Sequence, residues 1–544
     1  MFMRPDINGS SSSSQRKKDY KNTGVEAEDG RRRRLEDLFE IRKNKRQDNL
    51  FKKRKGDTSS PTTAPLCLIN TDQDILIFMI QRIPTLTQSL MSNNPASQLE
   101  ATTEICKLLS KGHIALIDEV IRAGVVPQLV RFLAMDDIPQ LQYMAAWTLT
   151  NISSGTSEHT RIVIEHDAVP RLVHLLCHSS VDDCKEQAIW ALGNIAGDSL
   201  STRDHVLSHG ALLPILGLLW NPSLVKVSIL KIASWSLSNL CRGDLPSTIF
   251  EQITRTLPFL GKLMLMSDEE VVANACLTVS YLTHEGSSEL IQAVIQANVC
   301  PRLVQLLQFS EKKVIVPALW TLGDITFGVE AAHTQVLIDQ GVLPCLKLLL
   351  SKSDKTVLKY ACWVISNITA GTRAQMQAVI DDDLISPLVC LTKAEFDIKM
   401  EAAWAIVNAT FGTHEQIQFL ASKGCIEALC DLLTCSDPSV LSICLVGLHN
   451  ILHSGKKNKN LPVGVNIYVE MVEECGGLEK IVGLQSYENN DIYNKAVAVL
   501  ETYWHEELIP LDDTNLHNTE GGTGQGLSFG SNLPTSDFNF SEKN

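Results

Sequence analysis

The stretches WTLTNIS (147–153), WALGNIA (190–196) and WSLSNLC (235–241) each place an asparagine four residues after a tryptophan. The pair returns in WVISNIT (363–369) and WAIVNAT (404–410). Residues i and i+4 share one face of a helix. The same helix must bury Ala145, Ala146, Leu149 and Ile152, so Trp147 and Asn151 form one stripe beside its apolar side. The tryptophans at 147, 190, 235, 320, 363 and 404 are separated by 43, 45, 85, 43 and 41 residues. The double gap predicts a missing member near 277, where Leu277 stands.

A second motif keeps the same period. It reads AGVVPQLVRFL from 123, HDAVPRLVHLL from 166, ANVCPRLVQLL from 297 and QGVLPCLKLLL from 340. Gly or Asp ends one helix, and Pro stands near the start of the next. The Leu and Val spacing that follows is helical. Units of roughly 42 residues with helices and no strand pattern fall in the range of armadillo and HEAT repeats. Residues 71–509 hold about ten such units, which predicts an all-α solenoid whose repeats bury their apolar faces against one another.

Charge divides the 544-residue chain, whose net charge is −14. Residues 1–60 carry 17 Lys+Arg and 10 Asp+Glu, a net of +7. The remainder carries 31 basic and 52 acidic residues, a net of −21. An acidic body of this kind argues against direct binding of nucleic acid. No run of about 18 apolar residues predicts a membrane span. The 15 cysteines show no CxxC pair and sit in apolar helical runs, the pattern of reduced core thiols. His174 and His178, like His449 and His453, have helical ligand spacing, but two ligands are too few for zinc, and no metal or cofactor is expected. GGTGQG (521–526) lacks the strand and helix of a phosphate loop, and no catalytic constellation is present. Trp220 and Trp504 lie outside the register and are expected to be packing residues.

Five amides repeated on a solenoid invite a ligand reading. A buried amide needs partners. A regular row of them matches the N–H and C=O groups of an extended peptide, whatever its sequence. Indoles between the amides form slots for the aliphatic stems of Lys and Arg, with cation–π help. Asp198, eight residues after Trp190, is placed to meet an ammonium. The ladder is interrupted at Leu277/Tyr281 and Trp320/Asp324, and it ends at Ile105/Leu109 and Gly447/Ile451. From 190 to 363 is about 40 Å at usual helix spacing, or about twelve extended residues. Two basic clusters joined by a spacer fit that arrangement.

The head reads GRRRRLEDLFEIRKNKRQDNLFKKRK from Gly30. Lys52, Lys53, Arg54 and Lys55 are themselves a ligand for the Trp–Asn groove, held at high effective concentration by the linker.

These motifs resemble the importin α (karyopherin α) family over nearly the whole chain. RRRRLED, EIRKNKRQ and KKRK resemble its importin-β-binding segment. WTLTNISSGTSEHT, WALGNIAGDS, ACWVISNITAGT and EAAWAIVNATFG resemble its armadillo domain, and LEKIVGLQSYENNDIYNKAVAVLETYW its closing unit. The resemblance implies a right-handed superhelical armadillo solenoid and a nuclear-import adaptor that shuttles between cytoplasm and nucleus. It implies residues 1–15 disordered, an importin-β-binding and autoinhibitory segment over 16–57, a linker over 58–70, repeats over 71–509 and a disordered acidic tail over 510–544. A larger site for nuclear localisation signals would fall on Trp147, Asn151, Ser154, Gly155, Thr160, Trp190, Asn194, Asp198, Trp235 and Asn239. A smaller one would fall on Trp320, Asp324, Trp363, Asn367, Glu401, Trp404 and Asn408. Arg31, Arg32, Arg33, Arg34, Arg42 and Lys43 would engage importin β, and Lys52–Lys55 would fill the groove in its absence. An export receptor would return the chain. Asn274, Leu277, Trp320, Asp324 and Tyr360 depart from the family's usual residues, which implies an altered preference. The rival expectation is an adhesion or signalling scaffold of armadillo repeats, whose groove is usually basic.

Overall fold

The computed structural model describes residues 72–504, apart from 244, 246, 285–287, 329 and 457–465. The basic head, the linker and the tail from 510 lie outside the described residues. Contacts divide the chain into two units, one ending at Asn408 and one running on from Ala409.

In the first unit each repeat is three helices. Ser157–Glu165, Ala168–His178 and Asp182–Asp198 make one such set. The first helix starts where Thr156 accepts from the His159 amide, while the His159 ring accepts from the Thr156 amide. This reciprocal cap satisfies donors that the first turn leaves open. Six of the corners to the second helix turn through a left-handed residue, while the corner before Leu257–Met264 does not. Gly124, Asp167, Gly210, Asn298, Gly341 and Asp383 supply it, with φ between 51° and 78°. Gly, Asn and Asp tolerate that conformation best. In the four repeated Pro motifs the Gly, Asp or Asn at the corner therefore has a backbone role.

The third helix of each repeat carries the ladder position, filled by the Trp–Asn pair in five of the seven. These helices start at 139, 182, 227, 269, 312, 355 and 396, and successive members pack side by side. Asp268 and Asp354 cap two of them, accepting from the Val271 and Val357 amides. The expected apolar side is buried: Ala145, Ala146, Leu149 and Ile152 are all 0% exposed. Each fully buried Leu or Ile contributes about 1.5–3 kcal/mol of transfer free energy. No strand occurs among the described residues. The protein is an all-α solenoid of helical repeats, as the spacing predicts.

The second unit continues the pattern with Gly424 and Gly476 at its left-handed corners. Trp504 packs there at 2% exposure, and its indole donates to Glu473 at 2.6 Å. Trp220, in the first unit, corrects the sequence expectation. It ends a short helix before the Asn221–Pro222 turn, stands 64% exposed, and lies tilted against Phe259 with ring centroids 4.4 Å apart. Of the described cysteines most are buried and none forms a disulfide. Burial pushes the Cys241 and Cys276 thiols up to about 12, which keeps them protonated and unreactive.

A candidate peptide groove

Asn194 donates its side-chain amide to the Thr150 carbonyl at 3.1 Å. Asn239 donates to Gly193 at 3.0 Å, Asn367 to Gly323 at 3.0 Å and Asn408 to Ser366 at 2.9 Å. In each case the acceptor is the residue just before the preceding rung. Asn151, the first rung, donates to the Ser110 hydroxyl at 3.2 Å instead. All five asparagines are buried. The cost of burying their amides is thus offset inside the protein, by bonds that tie each repeat to the one before it. The amide N–H that the sequence suggests for a ligand thus already has a structural role.

The tryptophans are seated by glycine. A Cβ on Gly193 would come within 2.6 Å of the Trp235 indole, and one on Gly323 within 1.7 Å of the Trp363 indole. Each ring therefore lies on the backbone of the preceding rung. Sequence reasoning missed these two glycines, although both stand three residues after a tryptophan, in WALG and WTLG. Trp235, Trp363 and Trp404 are largely buried, while Trp147 and Trp190 are half-buried.

The remaining predicted residues fall into two kinds. Asp198 ends its helix half-buried and accepts from the Ser157 hydroxyl at 2.9 Å. A carboxylate at a helix C-terminus adds to the negative end of the dipole, so the pair attracts cations. Ser154 donates to the Asn151 carbonyl at 2.7 Å, and Glu401 is half-buried. Thr160 and Gly155 shape the turn. Thr160 is 0% exposed with its hydroxyl on the Ser153 carbonyl, and a Cβ on Gly155 would strike the His159 ring at 2.2 Å.

At the interruption Leu277 and Tyr281 are buried. Asn274, one turn earlier, takes over the link, donating to the Lys231 carbonyl at 3.2 Å and the Ser234 hydroxyl at 3.0 Å. Trp320 is 3% exposed, and Tyr360 stands edge-on to it at 5.5 Å. Asp324 accepts from the Thr283 hydroxyl at 3.3 Å. The His174 and His178 rings stack at 4.3 Å, and no group of three metal-ligating side chains occurs among the described residues. No helix among them is long and apolar enough to cross a membrane.

Comparison with known proteins adds to this geometry. Residues 16–103 match the model of the importin beta binding domain. Residues 114–154, 156–197, 287–327, 331–370 and 413–453 match the armadillo/beta-catenin-like repeat, and 466–519 an atypical Arm repeat. Importin subunit alpha-4 of Arabidopsis thaliana is 49% identical over 96% of this chain and 98% of its own length. Importin subunit alpha-B of Dictyostelium discoideum is 47% identical over 90% and 93%. A solved engineered protein superposes with a TM-score of 0.70 and 26% identity, over 77% of this chain and 98% of its own. Residues 198–286 fall between the repeat matches but hold helices in the same third-helix rhythm.

Proposed function

We propose how the groove works from one premise: the chain belongs to the importin α family. It is a nuclear-import adaptor that binds importin β and cargo bearing basic nuclear localisation signals. It acts by joining partners rather than by transforming a substrate.

In our assignment one basic cluster lies along Trp147, Trp190 and Trp235, with Asn151, Asn194 and Asn239 reading its backbone. The second lies along Trp363 and Trp404, with Asn367 and Asn408. Asp198 and Glu401 supply the charge, at the first and second cluster respectively. The observation that carries this assignment is the row of amides, each held in place by a bond to the preceding repeat. Side chains fixed in this way bind a peptide without paying ordering entropy. Arg31–Arg34, Arg42 and Lys43 engage importin β. Lys52–Lys55 occupies the groove when importin β is absent, tethered by residues 58–70. An export receptor then recycles the empty adaptor, which shuttles between nucleus and cytoplasm.

The test is a titration of one-cluster and two-cluster basic peptides against the full chain and against the chain lacking residues 1–57. Removing the head should tighten both peptides several-fold. Equal or weaker affinity refutes autoinhibition, and failure of both peptides to bind refutes the groove. Replacing Arg31–Arg34 by Ala should abolish importin β capture in a pull-down, and full capture would remove the head's assigned role.

A further inference from the structure

Asp72–Leu90 is the first of the described helices, and it packs on Pro95–Leu109 and Ile114–Arg122. A terminal unit of a solenoid has a neighbour on one side only. Ile77 and Phe78 are exposed on this helix. Further along it, a cleft of about 550 Å³ opens towards Ile114–Arg122. Ile80, Pro84 and Thr87 line one side, and Glu119, Arg122 and Ala123 the other. Ile77, Ile80 and Pro84 follow helical spacing, so one apolar stripe runs from the first turns into the cleft. Glu119 and Arg122 form an ion pair, which leaves the rim without net charge. Pro84 lacks the amide that would bond the Ile80 carbonyl, so an acceptor in the cleft is left without its helical donor. The cleft suits an uncharged, apolar, extended segment with an amide to give.

The chain supplies such a segment directly before the helix. Residues 56–71 read GDTSSPTTAPLCLINT, with one charge, at Asp57, and an apolar run over Pro65–Ile69. Thr71 and Asp74 have the spacing of a capping box, so the chain leaves the helical course at Thr71. At helical rise, Ile77, Ile80 and Pro84 lie about 8, 12 and 18 Å along the helix from Asp72. With Asn70 and Thr71 making a reversal, an extended strand carries Leu66 and Ala64 about 10 and 17 Å back from Ile69. Leu66 then falls between Ile77 and Ile80, and Ala64 beside Pro84. Ala64, Leu66 and Leu68 alternate, so all three share the strand side that faces the helix.

We propose that Ala64–Leu68 folds back along Asp72–Leu90 and seats Leu66 in this cleft, clipping the linker to the first repeat. The clip goes beyond the adaptor reading. Lys52–Lys55 then reaches the groove on a tether of eight residues, 56–63, in place of sixteen, 56–71. Effective concentration falls roughly as the −3/2 power of tether length, so the clip favours the head in the groove by about threefold. This consequence, unlike the clip, rests on the autoinhibitory reading.

The experiment digests the full chain with a broad-specificity protease and follows cleavage within residues 62–69 by mass spectrometry. Ile77→Asp puts a charge on the stripe at an exposed position. Leu66→Ser with Leu68→Ser empties the cleft and leaves the helix untouched. Each should raise cleavage about fivefold to tenfold, because the undocked segment is the one cut. Leu265→Asp, at an exposed apolar residue of another repeat, should stay at the wild-type rate. No rise in the double serine variant overturns the clip, even where Ile77→Asp shows one, since the helix start has then frayed. A wild-type dimer that Ile77→Asp dissociates gives the stripe to a second copy and also overturns it. The double serine variant should bind a one-cluster basic peptide about threefold more tightly than wild type. Raised cleavage with unchanged peptide affinity supports the clip and removes the head's autoinhibitory role.

Discussion

Asn408 donates its side-chain amide to the backbone carbonyl of Ser366, 2.9 Å away and one repeat earlier. A residue assigned to read a ligand's backbone therefore already reads its neighbour's. The ladder couples the groove to the packing that sets repeat spacing. A solenoid holds its repeats by nearest-neighbour contacts, so a link of this kind also fixes the step between binding positions.

Asn408→Ala should act on both properties. Losing one neutral hydrogen bond costs about 1 kcal/mol, which denaturant unfolding can resolve. Affinity for a two-cluster peptide should fall further than affinity for a one-cluster peptide seated at Trp147–Trp235. If stability falls while both affinities hold, the amide is structural only.

The two glycines permit a sharper separation. Gly323→Ala places a methyl within 1.7 Å of the Trp363 indole, so that ring must leave its seat. Gly193→Ala does the same to Trp235 at 2.6 Å. Gly217→Ala, with nothing within 4 Å of the added carbon, is the control and should stabilise by about 0.5–1 kcal/mol. Gly323→Ala should weaken the smaller site and Gly193→Ala the larger. Equal effects of the two on a one-cluster peptide would contradict the division of the groove.

The fold was largely legible because its signals are local. Tryptophan spacing gave the period and the absent member at Leu277, and the Gly, Asp or Asn of the four repeated Pro motifs proved to be a left-handed corner. The glycine seats were visible as WALG and WTLG, but their meaning lies in the next repeat's indole, which no local pattern reveals. Likewise the Asn amides bond to carbonyls 42 to 46 residues earlier. Trp220 was misread because its register said only that it was off the ladder, and exposure depends on the surrounding repeats. Thr160 matched a family motif, yet its full burial makes it part of the turn.

Acid should loosen the interrupted rung first through its cap. Burial alone would raise the Asp268 pKa. The Lys231 ammonium at 2.9 Å and the Val271 and Glu270 amides outweigh that and hold it below the ordinary 3.8. A depressed carboxylate pKa contributes stability above the unfolded value and loses it as pH falls through the folded one. Asp268→Ala should therefore cost about 1 kcal/mol at neutral pH. The gap to wild type should begin to narrow below about pH 4, where the unfolded carboxylate takes up its proton, and close only at lower pH, where the folded cap does. A gap that stays constant down to the acid transition would mean that the carboxylate's charge contributes nothing.

Asp198→Lys is the most direct test of charge in the larger site. The side chain ends the Asp182–Asp198 helix, where the dipole is already negative and Ser157 holds one carboxylate oxygen. Replacing it with an ammonium suits the helix end, so folding should be unharmed or slightly improved. A basic peptide there meets repulsion in place of attraction, and one-cluster binding should be lost while thermal stability is kept. Asp198→Asn removes the charge without reversing it and should weaken binding by an intermediate amount. Titration of one peptide against all three proteins gives the order wild type, Asn, Lys. Affinity for the lysine variant equal to wild type would remove Asp198 from the site and leave the acidic character of the groove without a function.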